Sequence, residues 1–313
     1  MSFRNGLKAI LAGTLGLTLA ACSNGAGSSE PAKEQIALNE LSVLCPTGAP
    51  ALSIMGLAMS EEAPTIEYVE GQDVLVSELS KTDSQYDLIV APVNAGVKTW
   101  SAAGEYQLEG ILTWGNLYIV SDGEDWNAPD KTLAAFGESA VPGMVFKELF
   151  PETECTVDYY PSVAEASAAL LSGKADVALL AQPAAAGALA KANENGRELS
   201  IVGDLQKLWA ENHEVTQNGY PQAALFVKKE KAGQVDNAIN AISDYISSAD
   251  EQKIETDVNA LSAERFGVPN ATLAAKTWKA QNIHFEKASE VESDLQAFLN
   301  VFGIELPEDM IVG

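Results

Sequence analysis

The sequence predicts an α/β fold, and three observations support this prediction. Short β-rich runs alternate with helical stretches over residues 41–227, as in a parallel sheet with flanking helices. The segment 87–96 (DLIVAPVNAG) is echoed by 176–187 (DVALLAQPAAAG), each giving an aspartate, a buried strand, a proline turn and a small-residue helix. The 313 residues, 47% hydrophobic and 20% charged, are typical of a globular chain with two domains or lobes. Two similar α/β lobes explain the repeat, although chance similarity between two strands is the alternative.

The elements follow from runs of apolar residues bounded by glycine, proline and polar residues. The predicted strands are 41–45, 65–69, 86–91, 111–114, 117–120, 156–160, 177–180 and 223–227. The predicted helices include 51–60, 73–79, 144–150, 162–171 and 205–212, with an alanine-rich helix after residue 183. The last third of the chain is predicted to be mostly helical. Leu295, Phe298, Leu299 and Phe302 fall on one apolar helix face.

Helix starts are predicted from capping boxes, in which a serine precedes a glutamate by three positions. The pairs are Ser162 with Glu165, Ser248 with Glu251 and Ser289 with Glu292.

The first residues have the order of a secretion signal. Arg4 and Lys8 precede the uncharged, largely apolar stretch 9–18, which is too short to span a membrane. The stretch runs into Leu19-Ala20-Ala21-Cys22, which resembles a bacterial lipobox. We therefore expect 1–21 to be a lipoprotein signal peptide, Cys22 to be lipidated and the polar segment 22–35 to be a lipid-anchored flexible tether. The alternative is an ordinary secretion signal with an incidental thiol.

Charge and composition exclude several functions. Lys and Arg number 19 against 44 Asp and Glu, a net charge of −25, which makes nucleic-acid binding improbable because phosphate contacts need basic clusters. Three cysteines and two histidines are too few for a disulfide framework or a Cys/His zinc site. We expect no metal and no cofactor, and two buried thiols at Cys45 and Cys155 rather than a disulfide.

Three further motifs carry a resemblance to a known family. They are 173–180 (GKADVALL), 204–209 (DLQKLW) and 218–229 (NGYPQAALFVKK). Together with the lipobox and the tether, they resemble substrate-binding lipoproteins of ABC transporters. The similar group has the type 2 periplasmic-binding-protein fold and serves nitrate, aliphatic sulfonates and thiamine pyrimidine precursors.

The resemblance implies two lobes joined by a hinge of two crossings. Lobe one is expected at 36–118 plus 224–313 and lobe two at 119–223, with crossings near 118–122 and 220–224. A ligand that binds the closed state better than the open state would close the hinge. The implied partners are a small-molecule ligand, an ABC permease and its ATPase, and the membrane through the lipid anchor. We expect a monomer on the outer face of the cytoplasmic membrane, in a Gram-positive host.

Candidate ligand-binding residues in lobe one lie at strand ends, where ligands of such folds bind. Thr47 and Gly48 follow the first strand, and free backbone N–H groups there could hold a polar ligand, or they could form a plain tight turn. Asn94 follows the repeat strand and either reaches the cleft or caps a helix. Trp114 and Asn116 flank a glycine near the first crossing, where the indole either stacks on a planar ligand or belongs to the core.

The second lobe offers four further candidates. Ser139 lies in a loop before a helix, and Tyr160 ends a strand, with a core role as its alternative. Gln182 precedes a proline where many proteins of this group have glutamate, so a salt bridge to a cationic ligand is in doubt. Tyr220 lies at the second crossing, as a hinge or wall residue.

The leading interpretation is an extracytoplasmic receptor of an ABC importer. Amides and aromatic residues among the candidates, with no Arg or Lys, favour a neutral or nitrogen-containing planar compound such as an aminopyrimidine. A receptor for an aliphatic sulfonate or a similar anion is the alternative within the class. An enzyme on the same fold and a surface lipoprotein that binds a macromolecule are the alternatives outside it, and no catalytic set of residues favours an enzyme.

Overall fold

Two sheets of similar plan organise the chain. The structure is a computed structural model that describes residues 33–123 and 125–313. Residues 34–313 form one compact unit. The signal peptide and Cys22 lie outside the described residues, and so does all but the end of the tether. No helix in the described part of the chain is long and apolar enough to cross a membrane.

The first sheet has six strands in the order β11-β4-β10-β3-β1-β2. They are β1 (Ser42–Pro46), β2 (Thr65–Val69), β3 (Leu88–Pro92), β4 (Tyr106–Thr113), β10 (Ala223–Lys228) and β11 (Ile283–Lys287). β1 pairs in parallel with β2 and β3, and β10 lies antiparallel between β3 and β4.

The second sheet has five strands in the order β7-β6-β8-β5-β9. They are β5 (Leu117–Ser121), β6 (Thr132–Phe136), β7 (Thr156–Tyr160), β8 (Val177–Ala181) and β9 (Ser200–Asp204). β6 pairs in parallel with β7 and β8, and β5 lies antiparallel between β8 and β9. Three parallel strands followed by two antiparallel strands therefore occur in both sheets.

The internal repeat has a physical counterpart in the two sheets. The Asp87 carboxylate accepts from the backbone N–H of Ser42 at 2.9 Å, at the start of β1. The Asp176 carboxylate accepts from the N–H of Thr132 at 2.9 Å, at the start of β6. Each aspartate thus satisfies the first donor of the central parallel strand. The prediction of two similar α/β lobes is confirmed.

Twelve helices flank the sheets in the described part of the chain. Those on the first sheet are α1 (Ala49–Ser53), α2 (Met55–Ala58), α3 (Asp73–Leu79), α4 (Val93–Ala103), α9 (Asp236–Ser248), α10 (Glu251–Leu261), α11 (Ala271–Lys276) and α12 (Glu292–Asn300). Those on the second sheet are α5 (Val141–Leu149), α6 (Val163–Leu171), α7 (Ala184–Glu194) and α8 (Leu205–Asn212). We call the first sheet with its helices lobe one, and the second sheet with its helices lobe two.

Several local predictions are confirmed and others are wrong. Ser162 caps α6 by accepting from the N–H of Glu165 at 3.2 Å. Ser248 instead ends α9, and Asp250 caps α10. Ser289 caps no helix, since α12 begins after Val291 without a side-chain cap. The sequence analysis did not predict β6, β9 and β11, each of five residues.

The chain passes between the sheets twice. It leaves β4 at Thr113 and enters β5 at Leu117, then leaves β9 at Asp204 and enters β10 at Ala223. The expected lobe boundary after Tyr118 therefore falls inside β5. That strand belongs wholly to the second sheet because it pairs with β8 and β9 along its length.

Candidate functional site

The candidate residues gather where the parallel strands of each sheet end. In lobe one, Gly48 follows β1 and Asn94 follows β3; in lobe two, Ser139 follows β6 and Gln182 follows β8. Parallel strands end at the same edge of their sheet, and helix starts with unpaired backbone groups follow there. The fold therefore brings candidates from distant parts of the sequence to two sheet edges.

A cavity of about 710 Å³ joins the two lobes at these edges. Its lining residues are Asn94, Lys98, Ser139, Phe302, Gly303, Ile304 and Glu305. Asn94 comes from lobe one and Ser139 from lobe two, so two of the nine candidates line one cavity from different lobes. A second cavity, of about 570 Å³, lies between α10 and α11 and touches none of the candidates.

Asn94 brings an unpaired acceptor to this region. Its side-chain oxygen is buried and has no hydrogen-bond partner among the described residues. The side-chain oxygen of Gln222 is in the same state. The backbone N–H of Val93, the residue before Asn94, donates to the backbone carbonyl of Gln222 at 3.1 Å. Buried oxygens without a donor are costly, and of these two residues Asn94 lines the cavity.

Thr47 and Gly48 do not offer free backbone donors, contrary to the expectation. The N–H of Thr47 donates to the Val69 carbonyl at 3.0 Å, and that of Gly48 donates to the Phe266 carbonyl at 2.7 Å. The loop at Gly267 also packs on the Thr47 side chain, where a Cβ on the glycine would lie 2.7 Å from the Thr47 Cβ. The tertiary fold has closed this turn with a loop from the C-terminal third.

Asn116 and Gln182 bond to each other. The Gln182 N–H donates to the Asn116 carbonyl at 3.0 Å, and the Asn116 Nδ2 donates to the Gln182 carbonyl at 3.1 Å. The Gln182 Oε1 accepts from the N–H of Ala186 at 3.2 Å, in the first turn of α7. Both side chains are buried. The pair joins the start of β5 to the end of β8 inside lobe two.

Trp114 is a core residue rather than a wall for a planar ligand. Its side chain is fully buried, and its Nε1 donates to the His284 carbonyl at 3.2 Å. The indole stacks on the His284 ring with centroids 5.1 Å apart. Because neither face of the indole is open, it cannot stack on a bound molecule in this conformation.

Tyr220 is also fully buried, at the second crossing. Its ring stacks on Phe298 with centroids 5.8 Å apart and contacts Trp209 edge-on at 5.5 Å. Burial raises the pKa of its phenol well above the ordinary value. Tyr160 stays half-buried at the end of β7, where its carbonyl accepts from the N–H of Gly137 at 3.4 Å. Neither tyrosine lines the cavity between the lobes.

Sequence reasoning missed four residues that matter here: Lys98, Gln222, Phe302 and Glu305. Lys98 had a usable signal, since it follows Asn94 by one helical turn and so shares its face of α4. No sequence signal pointed to residues 302–305, because they approach the cavity only through the packing of α12 against the body of the protein.

The first crossing divides between the lobes at Gly115. Trp114 is held to lobe one, since its N–H donates to the Asn282 carbonyl at 2.9 Å and its carbonyl accepts from the Asn282 Nδ2 at 2.8 Å. Leu117 is held to lobe two, since its N–H donates to the Gln206 Oε1 at 2.7 Å and its carbonyl accepts from the Gln206 Nε2 at 3.1 Å. Gly115 lies between these anchors with a φ of 85°.

The second crossing is anchored to lobe one near its end. The buried Asp294 carboxylate on α12 accepts from the N–H of Thr216 at 2.9 Å and from the N–H of Gln217 at 2.9 Å. The Asn282 Nδ2 also donates to the Asn218 carbonyl at 2.7 Å. Asn282 therefore bonds to both crossings at once. The segment from Thr216 onward is tied to lobe one.

His284 is held neutral beside the first crossing. Desolvation by burial lowers its pKa from 6.5 to about 4. A depressed folded-state pKa for a histidine means that the unfolded chain takes up the proton first. The resulting stability is present above pH 6.5 and is lost as the pH falls from there towards 4.

Replacing His284 with glutamine should reduce the pH dependence of stability. Between pH 7.5 and pH 5, the free energy of unfolding in urea should fall further in the wild type than in the His284→Gln variant, by about 1–2 kcal/mol. The free energy of unfolding at each pH is the measurement. Equal losses in the two proteins would contradict a neutral, buried imidazole.

The free thiols of Cys45 and Cys155 are both buried. Burial raises the pKa of each thiol. Cys45 lies in the first sheet, and Cys155 precedes β7 of the second. The described residues contain no cluster of three or more His, Cys, Asp or Glu side chains that could hold a metal ion.

Comparison with solved structures decides the fold. A protein from Parabacteroides distasonis described as an ABC transporter superposes with a TM-score of 0.72 at 20% identity, over 87% of this chain and 98% of that one. The chain has a type 2 periplasmic-binding-protein fold. The alignment covers most of both chains, so the likeness to this binding-protein fold includes both sheets.

Two further structures with this fold are sulfonate-binding proteins. The periplasmic aliphatic sulphonate binding protein SsuA from Escherichia coli has a TM-score of 0.59 at 14% identity, over 84% of this chain and 86% of that one. The alkanesulfonate-binding protein SsuA from Xanthomonas axonopodis pv. citri, bound to MOPS, has a TM-score of 0.53 at 15% identity, over 91% of this chain and 98% of that one. No protein-family model and no curated protein matches the chain.

Proposed function

We propose that this protein is the solute-binding receptor of an ABC importer and has no catalytic role. The observation that carries the proposal is the cavity that both Asn94 of lobe one and Ser139 of lobe two line. The solved structures with this fold that are named above are a transporter protein and two sulfonate-binding proteins. The partners of this chain are then a small molecule, a permease and an ATPase.

The lobes close on the solute by rotation about Gly115 and about the residues just before Thr216. On either side of Gly115, Trp114 bonds to lobe one and Leu117 to lobe two. The segment after Thr216 bonds to Asp294 of lobe one. A hinge absorbs rotation at the few residues between such anchors. Lobe one then extends to Trp114 and resumes near Thr216.

The solute contains nitrogen and donates hydrogen bonds. The side-chain oxygen of Asn94, a residue that lines the cavity, lacks a donor among the described residues, and an N–H group of the solute supplies one. A fully ionised sulfonate has no donor to offer it. A receptor for an aliphatic sulfonate remains the second candidate, favoured by the two sulfonate-binding proteins of the same fold.

The N-terminal segment places the receptor at the membrane. Cys22 carries the lipid anchor, residues 1–21 are removed and 22–35 form the tether. The soluble body lies on the outer face of the cytoplasmic membrane of a Gram-positive cell, as a monomer.

Mass spectrometry of the purified protein tests the solute-receptor function. The protein is purified without denaturant, desalted and unfolded, and the released small molecules are identified. We expect a nitrogen-containing compound in a ratio near one per chain, and an aminopyrimidine that raises the melting temperature on addition. Tight binding of ethanesulfonate without binding of any aminopyrimidine would refute a nitrogen-containing solute. Release of no compound and stabilisation by neither class would refute the receptor itself.

A further inference from the structure

The cavity between the lobes carries charges of both signs. Lys98 and Glu305 both line it, and both side chains are exposed to its solvent. Neither has an ion-pair partner within residues 33–123 and 125–313. A charged side chain without an ion-pair partner in a binding cavity can pair with an opposite charge on the bound molecule.

Lys98 stands beside the candidate residues of both lobes. It shares one face of α4 with Asn94, one helical turn away, and it shares the cavity with Ser139 of lobe two. The acidic residue next to Ser139, Glu138, is already paired, since its carboxylate lies 3.6 Å from the Lys147 Nζ. An ammonium and a hydroxyl that line one cavity from different lobes form a suitable pair of donors for an acidic group.

Glu305 is presented by a turn that the fold holds in place. Gly303 takes a φ of 64° after α12, and the side chain of Gln296 bonds to both sides of the turn. Its Nε2 donates to the Ile304 carbonyl at 3.2 Å, and its Oε1 accepts from the Leu306 N–H at 3.1 Å. The backbone that carries Glu305 is therefore held at the cavity, and its carboxylate adds an acceptor there to the unpaired oxygen of Asn94.

We infer that the solute carries an acidic group and N–H donors on the same small molecule. The acidic group binds at Lys98 and Ser139, and the N–H donors bind at Glu305 and Asn94. This inference rests on the proposed receptor function and names the chemistry of its solute. It also accounts for a binding cavity for an acidic group in a protein of strongly negative net charge, because the molecule as a whole need not be an anion.

Matched probes separate the two chemical groups. Isothermal titration of the full chain would use two pairs of probes. Taurine differs from ethanesulfonate by its amine, and an aminopyrimidine carboxylate differs from the aminopyrimidine by its acid. We expect at least one of the two probes that carry both groups to bind at least tenfold more tightly than its single-group counterpart.

Two variants locate the groups. Lys98→Met should lower the affinity for the acid-bearing probe that binds about tenfold and should leave the affinity for aminopyrimidine unchanged. Glu305→Gln should weaken probes with N–H donors and leave ethanesulfonate unchanged. The controls are Lys279→Met and Glu308→Gln, exposed residues outside this cavity, which should change neither. A merely structural role would weaken every probe together.

Two results would overturn the inference. Equal affinity for the members of each matched pair would remove the requirement for both groups, while the receptor function would stand. Lys98→Met and Glu305→Gln proteins with wild-type affinity for every probe that binds would remove the assignment of the charges. If the unfolded protein releases no compound and none of the four probes binds, the receptor function itself is refuted. This outcome differs from the two above, in which a probe still binds and only the chemistry of the solute is refuted.

Discussion

Gly115→Ala should lower the free energy of unfolding by about 2–4 kcal/mol. A Cβ at this position would lie 2.5 Å from the Cζ of Tyr220 and 2.6 Å from its Cε1. The tyrosine ring is stacked on Phe298 and contacts Trp209, so it has little room to retreat. The φ of 85° adds backbone strain for any residue with a side chain. Urea unfolding followed by tryptophan fluorescence measures the change.

Gly173→Ala is a matched control for Gly115→Ala. Gly173 has a φ of 74°, yet no atom lies within 4 Å of the position that a Cβ would occupy there. This variant should show the backbone strain alone, about 1 kcal/mol. In a Tyr220→Ala background, Gly115→Ala should cost only this backbone strain, since the truncated side chain removes the overlap. Equal losses at Gly115 and Gly173 would contradict a contact between the hinge glycine and the tyrosine.

Asp294→Ala should lower the free energy of unfolding by about 2–3 kcal/mol. The carboxylate is fully buried and accepts from the backbone and hydroxyl of Thr216 and from the N–H of Gln217. Removing it leaves these donors without an acceptor and weakens the attachment of the second crossing to lobe one, where the bond from Asn282 to Asn218 remains. Hydrogen exchange of the segment 213–222 should therefore accelerate in the variant by a larger factor than in the rest of the protein.

The two comparison variants for Asp294 are Asp294→Asn and Asp309→Ala. Asparagine keeps one acceptor oxygen and should lose about half as much stability as alanine. Asp309 is exposed, so its replacement should change the free energy of unfolding by less than about 0.5 kcal/mol. Uniform acceleration of exchange across both lobes after Asp294→Ala would show that the carboxylate stabilises the fold in general and does not anchor the crossing.

The conformation of the hinge also bears on solute binding. Asn282 bonds to the Trp114 carbonyl of the first crossing and to the Asn218 carbonyl of the second. Both crossings thus reach lobe one through one side chain. Gly219 follows, and a Cβ there would lie 2.0 Å from the Trp114 oxygen, so the crossings approach too closely for a side chain at this position. The affinity of a solute that requires closure depends on how these contacts set the balance of open and closed states.

The sequence by itself determined the α/β class, the two-lobed plan and most of the parallel strands. These features depend on local patterns: apolar runs of strand length, turn residues after them, and the repeat that begins at Asp87 and Asp176. The structure shows why the repeat is informative, because each aspartate binds the first N–H of the central strand of its sheet. Asn94, which follows the first repeat strand, and Ser139, which the sequence places in a loop before a helix, both line the cavity.

Only the tertiary structure decided which strand-end residues are open to a solute. The backbone donors of Thr47 and Gly48 are used by residues 69 and 266, and Trp114 is covered by His284. Glu305 reaches the same cavity as Lys98 although 207 positions separate them. Local sequence pattern sets the direction of the chain and the period of its apolar residues, whereas exposure depends on segments distant in sequence that pack on each position.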